Sequence, residues 1–177
     1  MSDPSISLGL RAHPQHLTYA LVRGDVTPPL VTTLARLRLP VALHPPEQLA
    51  FARTTLLDLI REFDVTAAGI RTAEPVAQRV QVFRLNVEGV IQELLGAGAV
   101  PRYFAGPLAS IGGLLRVPLA TVKQYASGAL ALTDLASPSP ATDTEEREAI
   151  LAALAALRIG QSRLTALGAE GAAGPAC

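Results

Sequence analysis

The chain has one cysteine, Cys177 at its last position, and no tryptophan. A lone thiol cannot form an internal disulfide, so no cysteine framework marks an oxidising compartment. Aromatic residues are sparse, four Phe and three Tyr, too few for a platform on which single-stranded bases stack. An excess of charge of either sign is also missing: fifteen basic and fifteen acidic residues cancel. Proteins that live on duplex DNA draw much of their affinity from phosphate neutralisation, so this balance argues against an autonomous DNA-binding enzyme, though a local patch remains compatible with it. No apolar run reaches the roughly 20 uncharged residues of a membrane span. Val26 to Pro46 is the nearest approach, and Arg36, Arg38 and its prolines break it. Met1 to Pro4 lacks the basic start and apolar stretch of a signal peptide. The expectation is a cytoplasmic protein with no membrane association.

Several site motifs are absent too. The sequence contains no G-x-x-x-x-G-K-[ST], no G-x-G-x-x-G and no G-x-S-x-G, which removes the common nucleotide loops and the serine-hydrolase elbow. His13 and His16 share a turn but have no third ligand near them in the sequence, and His44 precedes two prolines. A zinc site wants closed tetrahedral ligation, so all three histidines are expected at the surface. Gly112-Gly113 reads as a helix break rather than a phosphate cradle, and Lys123 with Arg116 reads as a wet helical face.

What is present is a core. Forty-nine per cent of the 177 residues are apolar, enough for one domain of ordinary size. Ile6 to Leu10 and Leu17 to Val22 are short β-rich runs on either side of Arg-Ala-His-Pro-Gln-His, and Leu30 to Leu39 supplies a third strand after Gly24-Asp25. Pro45-Pro46-Glu47 opens a helix through Glu62, with proline and an acid in the first turn. Val65 to Ile70 is a strand apolar throughout, as fits one covered on both faces. A helix over Ala77 to Leu95 ends at Gly96-Ala97-Gly98, and Val100 to Ala105 follows as a fifth strand. Helices are predicted over Leu108 to Leu115, Thr121 to Leu132 and Glu145 to Leu157, with Ser137 to Thr144 as a linker before the last. Residues 1–159 make one domain, and Gly160 to Cys177 reads as a flexible Gly/Ala-rich tail. A β-meander followed by strand–helix alternation predicts an α/β fold. Its sheet is mixed and five-stranded, antiparallel first and then parallel, with flanking helices.

Individual stretches add a resemblance. The segment L-G-L-R-A-H at the end of the first strand resembles the L-G-I-D-P-G of RuvC-type Holliday-junction resolvases, with Arg11 on the family's catalytic aspartate. Tyr19 falls on that family's tyrosine in the second strand. Phe83 to Ile91, FRLNVEGVI, is similar to the family's L-x-x-x-x-G-V helix, and Pro101 to Ala105 with Leu108 to Val117 to its fifth strand and following helix. The final EEREAILAALAAL resembles its D-A-A-D-A-L-A-L-A-L and lays Glu145 and Glu148 on the two acidic positions. Gly69-Ile70-Arg71 puts Arg71 where the family carries a glutamate. The resemblance implies an RNase H-like fold of the RuvC/YqgF kind over Ile6 to Leu157. It also implies burial of Leu8, Leu10, Ile70 and Val90; glycine is costly inside a helix, so Gly89 is expected to mark a close helix-to-sheet or helix-to-helix approach.

The resemblance also implies what has changed. Two-metal phosphodiester cleavage needs hard anionic oxygens around Mg²⁺ or Mn²⁺ about 4 Å apart. A guanidinium offers no lone pair and stays cationic. Arg11 and Arg71 are therefore expected to pair with Glu145 and Glu148 where metals would sit, with no metal bound. The first reading is a catalytically inactive module, a scaffold or interaction subunit in a nucleic-acid-handling complex such as recombination or repair. A protein partner or a homodimer would be its company. The second is a divergent Mg²⁺- or Mn²⁺-dependent structure-specific endonuclease using Glu74, Glu145 and Glu148, with Asp143 as a further acid. In a third, the two arginines receive a phosphate or another anion.

Overall fold

The computed structural model describes residues 5–74 and 81–159. Three consecutive strands, β1 (Ile6–Ala12), β2 (His16–Arg23) and β3 (Leu30–Arg38), form the antiparallel meander. Helix α1 (Pro45–Glu62) returns the chain to β4 (Val65–Arg71), which lies parallel to β1. Helix α2 (Val82–Leu94) and a widened turn of π geometry (Leu95–Ala99) lead to β5 (Arg102–Gly106), parallel to β4. Helices α3 (Leu108–Leu115), α4 (Leu119–Ser127) and α5 (Thr144–Arg158) complete the described residues. The sheet order is β3-β2-β1-β4-β5, the mixed five-stranded arrangement expected.

Alternation along the strands sorts their side chains. Leu8, Leu10, Ala12, Leu17, Leu21 and Ile70 face α1 and α2, and join Leu56, Ile60, Val87 and Ile91 in the larger core cluster. The opposite face meets α5, where Ala20 and Val22 pack with Ala149, Ile150 and Ala153. Helices α3 and α4 cover the outer side of α5 through Ile111, Val122, Leu151 and Ala155. Helix α5 lies unusually close to the sheet. A methyl on Gly9 would collide with the carbonyl oxygen of Ala149, and one on Gly69 would stand 2.7 Å from that of Ala152. These two glycines are register partners on β1 and β4, so together they make a trough that receives the alanine-rich helix.

Some boundaries and burials differ from the sequence reading. Strand β5 starts at Arg102 rather than Val100, since Pro101 has no N–H for a ladder. Helix α4 stops at Ser127 rather than Leu132, because Gly128 takes a left-handed conformation with φ 81° and caps it. Helix α2 begins at Val82; the part of the predicted helix over 77–80 lies outside the described residues, as does the predicted tail over 160–177. Leu8, Leu10 and Ile70 are fully buried as expected, whereas Val90 is only half-buried. Gly89 marks no close approach: a Cβ there would meet nothing within 4 Å. Its face of α2 points away from the sheet, with Val82 and Leu85 exposed beside it.

Candidate functional site

Arg11 and Arg71 are cross-strand neighbours at the C-terminal ends of the parallel pair β1 and β4. They share strand parity with Gly9 and Gly69, so both point to the α5 side. The trough beneath α5 brings the first turns of that helix over the strand ends, and Glu148 reaches down between the two guanidinium groups. Arg71 Nε lies 3.2 Å from Glu148 Oε1, and Arg11 Nε contacts Oε2. Neither Nε–H is aligned for a hydrogen bond, so charge rather than linear bonding holds this clasp. The three side chains are 12%, 8% and 6% exposed for Arg11, Arg71 and Glu148, which makes it a buried ion cluster.

Two further acids and one further base complete the cluster. Glu88 of α2, also buried, accepts from Arg84 Nε at 3.0 Å, stands 3.7 Å from an Arg11 terminal nitrogen and accepts the Ala73 N–H at 3.1 Å. Glu74 accepts from Arg71 at 3.1 Å and from the Leu108 N–H at 3.3 Å. Arg11 also donates to the Arg71 carbonyl at 3.4 Å. Three guanidinium groups thus meet three carboxylates, where the sequence reading expected two and two. Burial lowers the Arg11 pKa below its ordinary value; Glu148 opposes this, and the neighbouring charges of Arg71 and Arg84 add to it.

Glu145 does not join them. It turns to β2, where His16 Nε2 lies 2.7 Å from its Oε2 and the Thr18 hydroxyl donates at 3.3 Å. Burial pushes the Glu145 carboxyl up, but the His16 bond and charge, with His13 and Thr18, bring it below the usual range. The physical reason for the split is helical geometry. Glu145 and Glu148 are one turn apart on α5, so one side chain overlies β2 and the other overlies β1 and β4. Asp143 serves as the α5 N-cap, accepting the Glu146 N–H at 3.0 Å, and pairs with Arg36. Glu74, on the loop after β4, pairs with Arg71 while its side chain stays 37% exposed. His13 and His16 are half-buried and stacked, with centroids 4.3 Å apart, and not the surface residues expected.

Arg84 and Glu88 were not recognised as site residues in the sequence. Their i,i+4 spacing on a predicted helix was a signal of pairing, but nothing local showed that the pair would point at Arg11.

This donor set does not fit Mg²⁺ or Mn²⁺. At the two strand ends the groups presented are cations, and the carboxylates nearby are already held by guanidinium and backbone N–H groups. Among the described residues, no group of three or more His, Cys, Asp or Glu is placed to hold a metal ion, and no helix is long and apolar enough to cross a membrane.

With this geometry in view, comparison with known proteins bears on the fold. The Thermus thermophilus RuvC structure superposes with a TM-score of 0.65 at 14% identity, over 90% of this chain and 96% of that one. The fold is RuvC-like. T. thermophilus RuvC in complex with Holliday junction substrate matches at TM-score 0.61 and 13% identity, with the same coverage. No family model matches the sequence, and no curated protein does. At this identity the likeness to RuvC is one of architecture, and the chemistry rests on the residues themselves.

Proposed function

We propose that this chain is a catalytically inactive RuvC-like module, working by contact as a scaffold or interaction subunit of a nucleic-acid-handling complex. The observation that carries this is the clasp of Arg11 and Arg71 on Glu148. In a two-metal nuclease the strand ends present carboxylates to dications, which bridge the attacking and leaving oxygens. Here the strand ends present guanidinium groups, which repel a dication and consume the acid that would bind it. The charge is neutralised internally, and a structural ion cluster stands where a reaction centre would be. A Holliday junction is the substrate in one of the matching RuvC structures, and this supports nucleic-acid handling as the setting. The proposal includes a protein partner or a second copy of this chain, and a cytoplasmic setting.

The test is a cleavage assay on four-way junctions, duplex DNA and RNA–DNA hybrids with Mg²⁺ or Mn²⁺. No cleavage is expected from the wild type. Robust metal-dependent cleavage that disappears in Glu74→Ala or Glu148→Ala would establish the endonuclease instead. A second arm converts the site. Arg11→Asp with Arg71→Glu leaves acids around Arg84 alone, so Mn²⁺ should raise the melting temperature of the double variant and leave the wild type unchanged. An equal response in both would mean that the arginines do not exclude the ion.

A further inference from the structure

The turn between β1 and β2 holds a second polar arrangement, which the ion cluster and the proposed inactivity do not use. The His13 N–H donates to the His16 carbonyl at 3.0 Å and closes the turn. The Gln15 N–H donates to His13 Nδ1 at 3.2 Å, and the Leu39 N–H donates to the Gln15 carbonyl at 2.9 Å, tying the turn to the end of β3. The two imidazole rings stack with centroids 4.3 Å apart and planes 19° from parallel. A carboxylate only accepts, so His16 Nε2 carries the proton shared with Glu145 at 2.7 Å. His13 Nδ1 accepts from a backbone amide and therefore carries none. In the folded turn His13 is the neutral imidazole with its proton on Nε2.

The groups around it oppose a second proton. Arg11 stands two residues before it on β1, Arg84 approaches from α2, and Arg38 on β3 is the register partner of His16. Glu145 from α5 acts the other way. Burial first, and then the His16 ring, hold His13 below the ordinary imidazole range, with Arg84 and Arg11 adding to the effect.

We infer that this stacked pair is a pH-sensitive clasp on the β1–β2 turn. A proton arriving at His13 Nδ1 displaces the Gln15 N–H, sets a cation against the His16 ring and opens the β1–β2 turn beside Glu145. Above the imidazole range the turn is shut and tied to β3; on acidification it releases, and the turn gains one positive charge beside Glu145. The inference rests on the turn's own bonds and stands apart from the absence of nuclease activity.

The test is an NMR titration of the full chain, in which three histidines give few imidazole signals to resolve. His13 should titrate below the midpoint of the same residue in an unfolded peptide. The amide signals of Gln15 and Leu39 should move, and lose exchange protection, with that same midpoint. In His16→Gln, which keeps a donor for Glu145 but removes the stacked ring, the His13 midpoint should rise. The clasp is overturned if His13 titrates as in the peptide, or if both amides stay unmoved and protected while it titrates. Should the variant not fold, the wild-type amides alone decide.

Discussion

The identity of two residues governs the chemistry of this fold. Arg11 and Arg71 each carry a fixed cation into a place from which water is largely excluded, and Glu148 sits against both. Removing one partner of a buried ion pair leaves a charge uncompensated and costs about 3–5 kcal/mol, whereas an exposed pair is worth about 1 or less. Glu148→Ala should therefore lose about 3–5 kcal/mol in urea unfolding at pH 7; a loss under about 1 kcal/mol would place the cluster in solvent. Glu145 sets a dependence on acidity. Its carboxyl is held below its ordinary value of 4.5 in the folded state, so the folded state binds that proton less well than the unfolded one. The resulting stability is present above pH 4.5, the ordinary value of the carboxyl, and is lost as pH falls through the depressed folded value. His13, lowered from 6.5, has the same sign: its contribution is present above that value and is lost as pH falls through the folded one. Urea midpoints measured from pH 8 to 3 should fall in these two windows, and Glu145→Gln should flatten the lower one and carry the upper one to lower pH, since the Glu145 charge opposes the lowering of His13.

Among the elements, α5 is decisive, because its alanine face lets it lie in the trough made by Gly9 and Gly69. A side chain there must push the helix off the sheet and carry Glu148 with it. Overpacking a core usually costs about 1–3 kcal/mol, and collision with backbone rather than a movable side chain places Gly9→Ala at or above the top of that range. Thermal melts would show it, and the cluster should weaken at the same time. Gly89 is the opposite case. It lies within α2 with nothing near its Cβ position, and glycine in a helix interior is about 1 kcal/mol worse than alanine. Gly89→Ala should raise stability by about 0.5–1 kcal/mol. A loss instead would reveal a contact on that face that the chain alone does not make. The sequence marked Gly89 as a packing residue, yet the packing glycines are Gly9 and Gly69, whose β-strand context disguised them.

For the molecule as a whole, a RuvC-like architecture carries an interior that neutralises itself. The three guanidinium groups and three carboxylates at the strand ends repeat in miniature the balance of fifteen and fifteen along the chain. If contact rather than catalysis is the role, Arg71→Lys should keep the charge but lose the planar fork that spans Glu74 and Glu148. That variant should unfold at lower urea and show no gain of nuclease activity, and a junction-cleavage assay beside a melt would separate the two effects.

By itself the sequence determined the order of elements, the mixed sheet and the two cations at the ends of β1 and β4. Those properties are local: apolar alternation, turn residues, helix caps and the identity of single side chains are all visible within about ten residues. Only the tertiary structure decided which acids meet which bases. Glu145 and Glu148 are three positions apart on one helix, and no local pattern could assign one to His16 and the other to the arginines. That assignment depends on where α5 crosses the sheet, which Gly9 and Gly69 set from strands sixty residues apart in the chain. Glu88 and Arg84 entered the cluster for the same reason, since long-range packing alone brings α2 against the end of β1.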